Sequence, residues 1–344
     1  MQNNFSHLQP NIILDAVENF GFEVSGQSYP LNSYENRVFQ VGLLDNKSVI
    51  AKFYRPNRWA IETLQEEHDF SNQLAAAGVA VAANLQDLQG NTVHQIEGFY
   101  CSLQHKIIGR EPELEDLESL FQIGQVLGQL HQASARLYSA NNTANNKISF
   151  KHRPVFDVQA MGQDNVTYLL ANVVGKKLSK KWLAKYQSIT QQLLAAITQC
   201  LPDDMSEHYI AAHGDCHLSN VLMSASGPVL LDFDDAMLAP PIQDVWMFLA
   251  GDKSQHQQQL SELIEGYEEY IEFPHQQLSW IPAMRALRVI NYTTWLAKRW
   301  SDSAFPIAFP WFNSEDFWMQ HVKELEGLLR EFSVAKTIEA NGNC

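Results

Sequence analysis

Apolar positions recur along this chain with two different periods, and the change between them divides it. Near the start, Ile12, Ile13, Leu14, Val17 and Phe20 share one face of an amphipathic helix. The following run, YPLNSYENRVFQVGLLDNKSVIAKFYRP, gathers Val38, Phe39 and Val41 into a β-prone stretch, breaks at a polar DNKS turn and resumes with VIAKFY, which predicts a hairpin. WAIETLQEEHDFSNQLAAAG is helical in period, with Gly78 placed to stop the helix. Short strands return in AANLQDLQGNTVHQIEGFYCSLQHKI, where Gly90 and Asn91 mark a further hairpin. These elements make a small α+β unit ending near residue 105.

From about Glu113 the pattern turns helical, with Leu117, Leu120, Ile123, Leu127 and Leu130 at helical intervals. NNTANNK (Asn141 to Lys147) is a polar loop, and SKKWLAKYQSITQQLLAAITQCL a second long helix. Two short β-type runs, NVLM and PVLLDF, then flank a SASG turn, before helices rich in aromatic residues resume from PIQDVWMFLAG to VKELEGLLREF. The expected fold class is α+β and two-lobed: a β-rich N-terminal lobe with a leading helix over 1–105, a larger helical lobe over 106–335, and a loose tail over 336–344.

The chain is 45% hydrophobic and 18% charged, a globular rather than a disordered composition. Its net charge of -15 argues against nucleic acid as a partner, because phosphate backbones require clustered Lys and Arg. The first residues show no basic start, no apolar core of signal length and no small-residue cleavage site. No window reaches the roughly 18 consecutive apolar residues of a membrane span. Four cysteines (Cys101, Cys200, Cys216, Cys344) are scattered without a C-x-x-C pair, which suggests neither a disulfide framework nor a zinc knuckle. The expectation is a cytoplasmic monomer with no nucleic-acid or membrane partner.

Chemistry concentrates in one stretch, AAHGDCHLSNVLMSASGPVLLDFDDA, from Ala211 to Ala236. An extended strand would put His213, Asp215 and His217 on one face, where three ligands could hold zinc. That reading leaves Asn220 and Asp232 unexplained. Cys216 would point to the opposite face, and a lone cysteine beside apolar sequence is more often a small buried hydrophobe than a nucleophile. Phosphoryl transfer from Mg·ATP to a hydroxyl uses more of the residues. It needs a carboxylate near the attacking oxygen, oxygen ligands for Mg²⁺ and a cation for the phosphates. Asp215 lies five positions before Asn220 and Asp232 twelve after it, so one hairpin delivers base and metal ligands together.

The cation is expected in VIAKFY. Lys52 sits in an apolar strand, where an unpaired ammonium is costly, although a lysine snorkelling from an edge strand is the plainer account. QEEH in the next helix offers Glu66 or Glu67 as its partner. Phe70 and Leu74 follow Glu66 at i+4 and i+8, which favours Glu66.

Lys52, Glu66, HGDCHLSN and LDFDD together resemble the kinase-like superfamily of aminoglycoside phosphotransferases and choline kinases. LNSYENRVFQV, AKFYRPNRW, HGDCHLSNVL, LDFDDA, QDVWMFLAGDK and FPWF resemble, more narrowly, the bacterial stress response kinase A (RdoA-type) family. The resemblance implies a protein-kinase-like fold and ATP- and Mg-dependent phosphorylation of Ser/Thr hydroxyls in proteins, the enzyme itself included. It implies that Asp215 is the catalytic base, that Asn220 and Asp232 bind Mg²⁺, and that Ser33 touches ATP. It also makes Asp244 an anchor of the catalytic loop and Gln104 to Lys106 the hinge at the adenine edge. The chain departs from the protein-kinase template in lacking G-x-G-x-x-G, for which LNSYENRVF stands, and D-F-G, since Asp234 follows Phe233.

Plainer readings stand beside several residues. His213 is expected to brace the loop backbone. Asp234 either assists the metal or accepts a loop hydrogen bond, and Val38 either meets the adenine or is a core valine. Arg285, Arg288, Lys298 and Arg299 are expected in packing and salt bridges around Trp295 and Trp300. Two rival functions remain: a small-molecule kinase of the aminoglycoside, choline or homoserine type, and a non-catalytic nucleotide-binding scaffold.

Overall fold

The structure is a computed structural model that describes residues 5–138 and 147–341. Apart from Lys147, the polar loop read at 141–147 lies outside the described residues, as does Cys344. Contacts divide the chain into two units, 1–155 with 209–273 and 156–208 with 274–344. The first unit thus joins the N-terminal sheet to the carboxylate hairpin, across the boundary expected at residue 105.

A five-stranded antiparallel sheet organises the first unit, in the order β1-β2-β3-β5-β4. Its strands are β1 (Val24–Leu31), β2 (Arg37–Leu43), β3 (Ser48–Phe53), β4 (His94–Ile96) and β5 (Phe99–His105). Helix α1 (Pro10–Asn19) covers one face, where Ile13, Ala16 and Val17 pack with Val41, Val49, Ala51, Phe53 and Leu103. β1 carries no hydrophobic signal because it is an edge strand with an irregular register between Val24 and Ser28 and almost no buried residue. The β4–β5 turn is at Glu97 and Gly98, both with positive φ, rather than at Gly90 and Asn91. Gly90 belongs instead to a turn in which the Asp87 carboxylate accepts from the main-chain N–H of Gln89 and Asn91.

Helix α2 (Ile61–Ala76) follows β3, and Gly78 (φ +89°) reverses the chain just beyond it. Helix α3 (Leu117–Leu137) is capped by the Asp116 side chain, which accepts from Ser119 N. It packs against helix Lys253–Glu268 with almost no gap: a Cβ on Gly124 would meet Leu263 O at 2.1 Å and one on Gly128 would meet Tyr267 O at 2.4 Å.

The carboxylate stretch forms two ribbons: β6 (Ile210–Ala212) with β9 (Met237–Ala239), and the expected hairpin β7 (Val221–Ser224) with β8 (Gly227–Leu230). Main-chain bonds tie the hairpin to the earlier chain. Ala82 N donates to Leu230 O at 2.8 Å, Leu230 N to Ala80 O at 2.9 Å, and Arg110 and Met223 exchange a pair.

The second unit is helical. Lys180–Cys200, Ile281–Arg299 and Glu315–Asn341 are its long helices, and a run over 159–177 alternates α and π turns. Residues 336–341, read as part of a loose tail, continue the last helix; Lys336, Glu339 and Ala340 are good helix formers. Trp318 is fully buried beside Phe312 and Phe317. Arg285 pairs with Glu331 at 3.2 Å, and Arg299 lies over the Trp295 ring. The chain is therefore a mixed α/β protein with a β-sheet N-terminal region and a helical C-terminal region.

Candidate active site

The sheet face opposite α1 opens onto a cavity of about 320 Å³. Val38 and Gln40 on β2 stand opposite Lys52 and Ile50 on β3, and all four side chains line it. The β1–β2 loop contributes Asn32 and Ser33, the end of β5 contributes Gln104 and His105, and the segment after it Lys106 and Ile107. From the hairpin come Ser219, Asn220, Leu222, Leu231 and Asp232. The size and the mixture of apolar walls with a few polar groups suit a nucleotide-sized ligand.

Lys52, only 6% exposed, is the charged centre of this cavity. Its ammonium lies 2.7 Å from Asp232 Oδ1 and 3.8 Å from both Asp234 Oδ1 and Glu67 Oε1. Burial works against its charge, but Asp232, Asp234 and Glu67 raise its pKa well above the ordinary value, so it is a fixed cation. Glu67 is buried enough that its carboxyl is pushed up to about 7; Lys52 opposes the shift and Asp234 adds to it. Glu67 Oε2 is buried without a hydrogen-bond partner. The expected partner, Glu66, is turned away. Its carboxylate accepts from the main-chain N–H groups of Lys151, His152 and Arg153 at 2.8–3.1 Å and from the Ser149 hydroxyl. The apolar neighbours of Glu66 at i+4 and i+8 put it beside the core, but the next residue along α2 faces β3.

Asp232 has φ +56° and ψ 72°, a left-handed conformation that non-glycine residues hold only when their surroundings impose it. The turn after it is heavily braced. Asp234 accepts from Asn36 Nδ2 at 3.1 Å, from Trp59 Nε1 at 3.2 Å and from the Arg58 guanidinium. Burial alone would raise the Asp234 pKa, yet Arg58, Lys52 and Arg153 hold it well below the carboxylate range. Of the two readings for Asp234, the loop hydrogen bonds are what the structure displays.

The segment before Asn220 is anchored from below. Asp244 is fully buried and accepts from the main-chain N–H of His213 and of Gly214, both at 2.8 Å. His131 Nε2 lies 3.0 Å from the same carboxylate and His131 Nδ1 lies 2.9 Å from the Tyr267 hydroxyl. Burial would push the Asp244 pKa up, but the hydrogen bond and charge of His131 keep it lowered. His213 Nε2 donates to Leu231 O at 2.7 Å and its Nδ1 accepts from Asp215 N at 3.4 Å, so both ring nitrogens brace backbone and neither is left for a metal. Cys216 is buried, and burial lifts its thiol pKa well above the ordinary value, unlike an activated nucleophile. Asn220 Nδ2 donates to Asp215 O at 2.9 Å, which leaves the amide oxygen as its remaining polar atom. Asp215 Oδ2 lies 3.6 Å from His217 Nε2.

The loop that replaces a glycine-rich segment is held by arginines. Arg37 donates to Asn36 O at 2.8 Å and Tyr34 O at 3.2 Å, while Arg55 donates to Glu35 O and Tyr34 O at 3.1 and 3.0 Å. Guanidinium groups on loop carbonyls fix its course without any positive φ among residues 32–36.

Ser33, Lys52, Asn220 and Asp232 thus border one cavity, and Asp215 adjoins it through Asn220. Sequence reasoning weighed Glu66 against Glu67 and favoured the wrong one, and it missed Asn36, Arg58, Trp59, Arg153, His131 and Tyr267. Their contacts span from 15 to nearly 200 residues and leave no local spacing. The one available signal was the paired QEEH acids beside a buried lysine.

A buried sheet lysine and an asparagine and an aspartate that flank the hairpin thus border one cavity, with a second aspartate on the preceding loop. The model described as the phosphotransferase enzyme family matches residues 29–281, and the chain belongs to that family. It is 36% identical over 317 residues to stress response kinase A of Escherichia coli (strain K12), covering 92% of this chain and 91% of that protein. It is 36% identical over 318 residues to the serine/threonine protein kinase RdoA of Salmonella typhimurium (strain LT2), with the same coverage. Solved structures share the fold. The amicoumacin kinase hAmiN, in complex with AMP-PNP, Ca²⁺ and Ami, aligns over 91% of this chain and 92% of its own at a TM-score of 0.67 and 18% identity. A microcompartment-associated aminopropanol kinase aligns over 97% and 98% at 0.68 and 16%.

Proposed function

We propose that the protein transfers the γ-phosphoryl group of Mg·ATP to serine and threonine hydroxyls of proteins, itself included. The observation that carries the chemistry is the convergence of Lys52, Asp232 and Asn220 on one cavity, with Asp215 hydrogen-bonded to Asn220. Hard oxygen donors on Asn220 and Asp232 fit magnesium better than zinc. Bound there, Mg²⁺ supplies neutralisation of the charge that grows on the phosphates.

In this reading Lys52 leaves Asp232 and takes the α/β-phosphates, with Glu67 behind it. Ser33 and the arginine-held loop cover the phosphates, and Val38 and the segment 104–107 enclose the adenine. Asp215 orients the acceptor hydroxyl and takes its proton, and His213 and Asp244 keep the loop in place. Positioning and charge stabilisation carry most of the rate in a loose phosphoryl-transfer transition state.

The protein acceptor is supported by the relative named a serine/threonine protein kinase, and a stress role by those named stress response kinase A. Among the described residues no helix is long and apolar enough to cross a membrane. Neighbours of the same fold named for amicoumacin and aminopropanol favour a second reading, a small-molecule kinase. Incubation with γ-labelled ATP separates them. Label on the protein or on a generic protein substrate, absent in Asp215→Asn, supports the proposal. Label confined to an amino-alcohol or aminoglycoside supports the second reading, and no label anywhere supports a scaffold.

A further inference from the structure

Arg153 is 3% exposed and lies on a segment to which sequence reasoning gave no role. Its guanidinium donates to four main-chain carbonyls: Nε to Ala236 O at 2.8 Å, Nη2 to Asp234 O at 2.7 Å and Phe233 O at 3.5 Å, and Nη1 to Thr63 O at 3.3 Å. Three of these carbonyls belong to the turn directly after Asp232, and the fourth to the first turn of α2. Arg153 is itself held. Its main-chain N–H donates to Glu66 Oε2 at 3.1 Å, and its guanidinium lies 5.1 Å from the centre of the Trp59 ring. Glu66 also binds the two preceding N–H groups, so this segment is clamped to α2.

A buried cation that ends on carbonyls is a poor device for stability, since desolvation is offset by polar bonds, the Trp59 ring and the more distant Asp234 and Glu67 carboxylates rather than by a direct ion pair. It is a good device for position, because one planar fork reaches several acceptors at fixed angles. Asp232 needs such a device. Its side chain is 47% exposed, its backbone is left-handed, and the ion pair that orients it uses the ammonium that the proposed reaction gives to the phosphates.

We propose that Arg153, clamped by Glu66, is a positioning residue that fixes the 233–236 turn and so aims the Asp232 carboxylate at a divalent cation. The proposal rests on the reading of Asp232 as a metal ligand. It is tested with Mn²⁺, whose binding is followed by electron paramagnetic resonance in the presence of a saturating non-hydrolysable ATP analogue. Affinity for the same nucleotide without metal is measured by calorimetry. In Arg153→Lys, which keeps the charge and removes the fork, the Mn²⁺ dissociation constant should rise about 10-fold or more while metal-free nucleotide affinity stays within about 2-fold, as for loss of a partner that orients a ligand. Unchanged Mn²⁺ affinity, or a parallel loss of metal-free nucleotide binding, overturns the proposal. If Arg153→Lys does not fold, Glu66→Gln decides by the same two measurements. Asp232→Asn separates the underlying reading: intact Mn²⁺ binding there removes the metal-ligand assignment itself. Loss there, without loss in Arg153→Lys, removes only the role of Arg153.

Discussion

The ammonium of Lys52 and the carboxylate of Asp232 meet at 2.7 Å across 180 residues of chain. This contact is one of those that join the N-terminal sheet region to the carboxylate stretch, and it places the only buried lysine among the described residues in the wall of a nucleotide-sized cavity. Lys52→Met should fill similar volume while leaving Glu67 and Asp234 without their shared cation. Catalytic efficiency should fall by about 100-fold or more, the size of effect seen when one preorganised charge-stabilising group is lost. Steady-state kinetics together with nucleotide titration check this; a change smaller than about 5-fold would remove Lys52 from the phosphate-binding machinery.

Gly214 and Gly227 give a paired prediction about backbone. Both have positive φ, +85° and +107°. A Cβ at Gly214 would lie 2.2 Å from Asp235 O, whereas nothing lies within 4 Å of one at Gly227. Gly227→Ala should therefore cost only left-handed strain, about 1–2 kcal/mol. Gly214→Ala must also push the 233–236 turn away from the Asp215 loop, so it should lose both stability and turnover. Urea unfolding and activity assays on the two variants report the contrast, and equal effects would contradict the close approach.

The sequence was legible where chemistry is local. HGDCHLSN and LDFDD place Ser219, Asn220 and Asp232 on the cavity and Asp215 beside it within one short stretch, and the SASG turn between apolar runs marked their hairpin correctly. It was also legible for β2, β3, α2 and α3, whose apolar periods match the faces they bury. It was not legible for β1, an edge strand with almost nothing buried, nor for β6 and β9, which are three residues each and pair across 25 residues of chain. Glu66 and Glu67 show the same limit at one position. Adjacent acids on a helix differ by 100° in direction, and only the path of the 149–153 segment, invisible in sequence, decides which of them meets Lys52.

Asp244 offers a test of how the proposed catalytic loop is held. Its carboxylate satisfies two main-chain N–H groups and one ring nitrogen of His131, all buried. Asp244→Ala leaves these groups unpaired and should destabilise the protein by about 3–5 kcal/mol. Tyr267→Phe removes a single hydroxyl from the far side of His131 and should cost only about 1 kcal/mol. If the chain from Tyr267 through His131 and Asp244 positions the loop, kcat in Tyr267→Phe should fall more than the KM for ATP rises. Equal changes in both would make the network purely structural.

His68 supplies the pH dependence. Its ring is fully buried on α2, with Nε2 2.7 Å from the Tyr54 hydroxyl and Nδ1 2.8 Å from the Thr92 hydroxyl. Burial, aided by the nearby charge of Lys52 and opposed by Asp234, lowers its pKa from 6.5 to about 3. Above pH 6.5 neither the folded nor the unfolded state carries the proton, so the stability linked to this group is fully present. As the pH falls below 6.5 the unfolded chain takes up a proton that the folded state refuses, and stability is lost progressively toward pH 3. The loss approaches about 1.4 kcal/mol per pH unit from this one residue. Urea midpoints measured between pH 7 and pH 4 should therefore fall more steeply for the parent protein than for His68→Gln, which keeps a donor and an acceptor but has no proton to gain. Carboxylates titrating in the same range contribute equally to both proteins, so the difference in slope isolates His68, and coincident slopes would mean that its ring is protonated in the folded state.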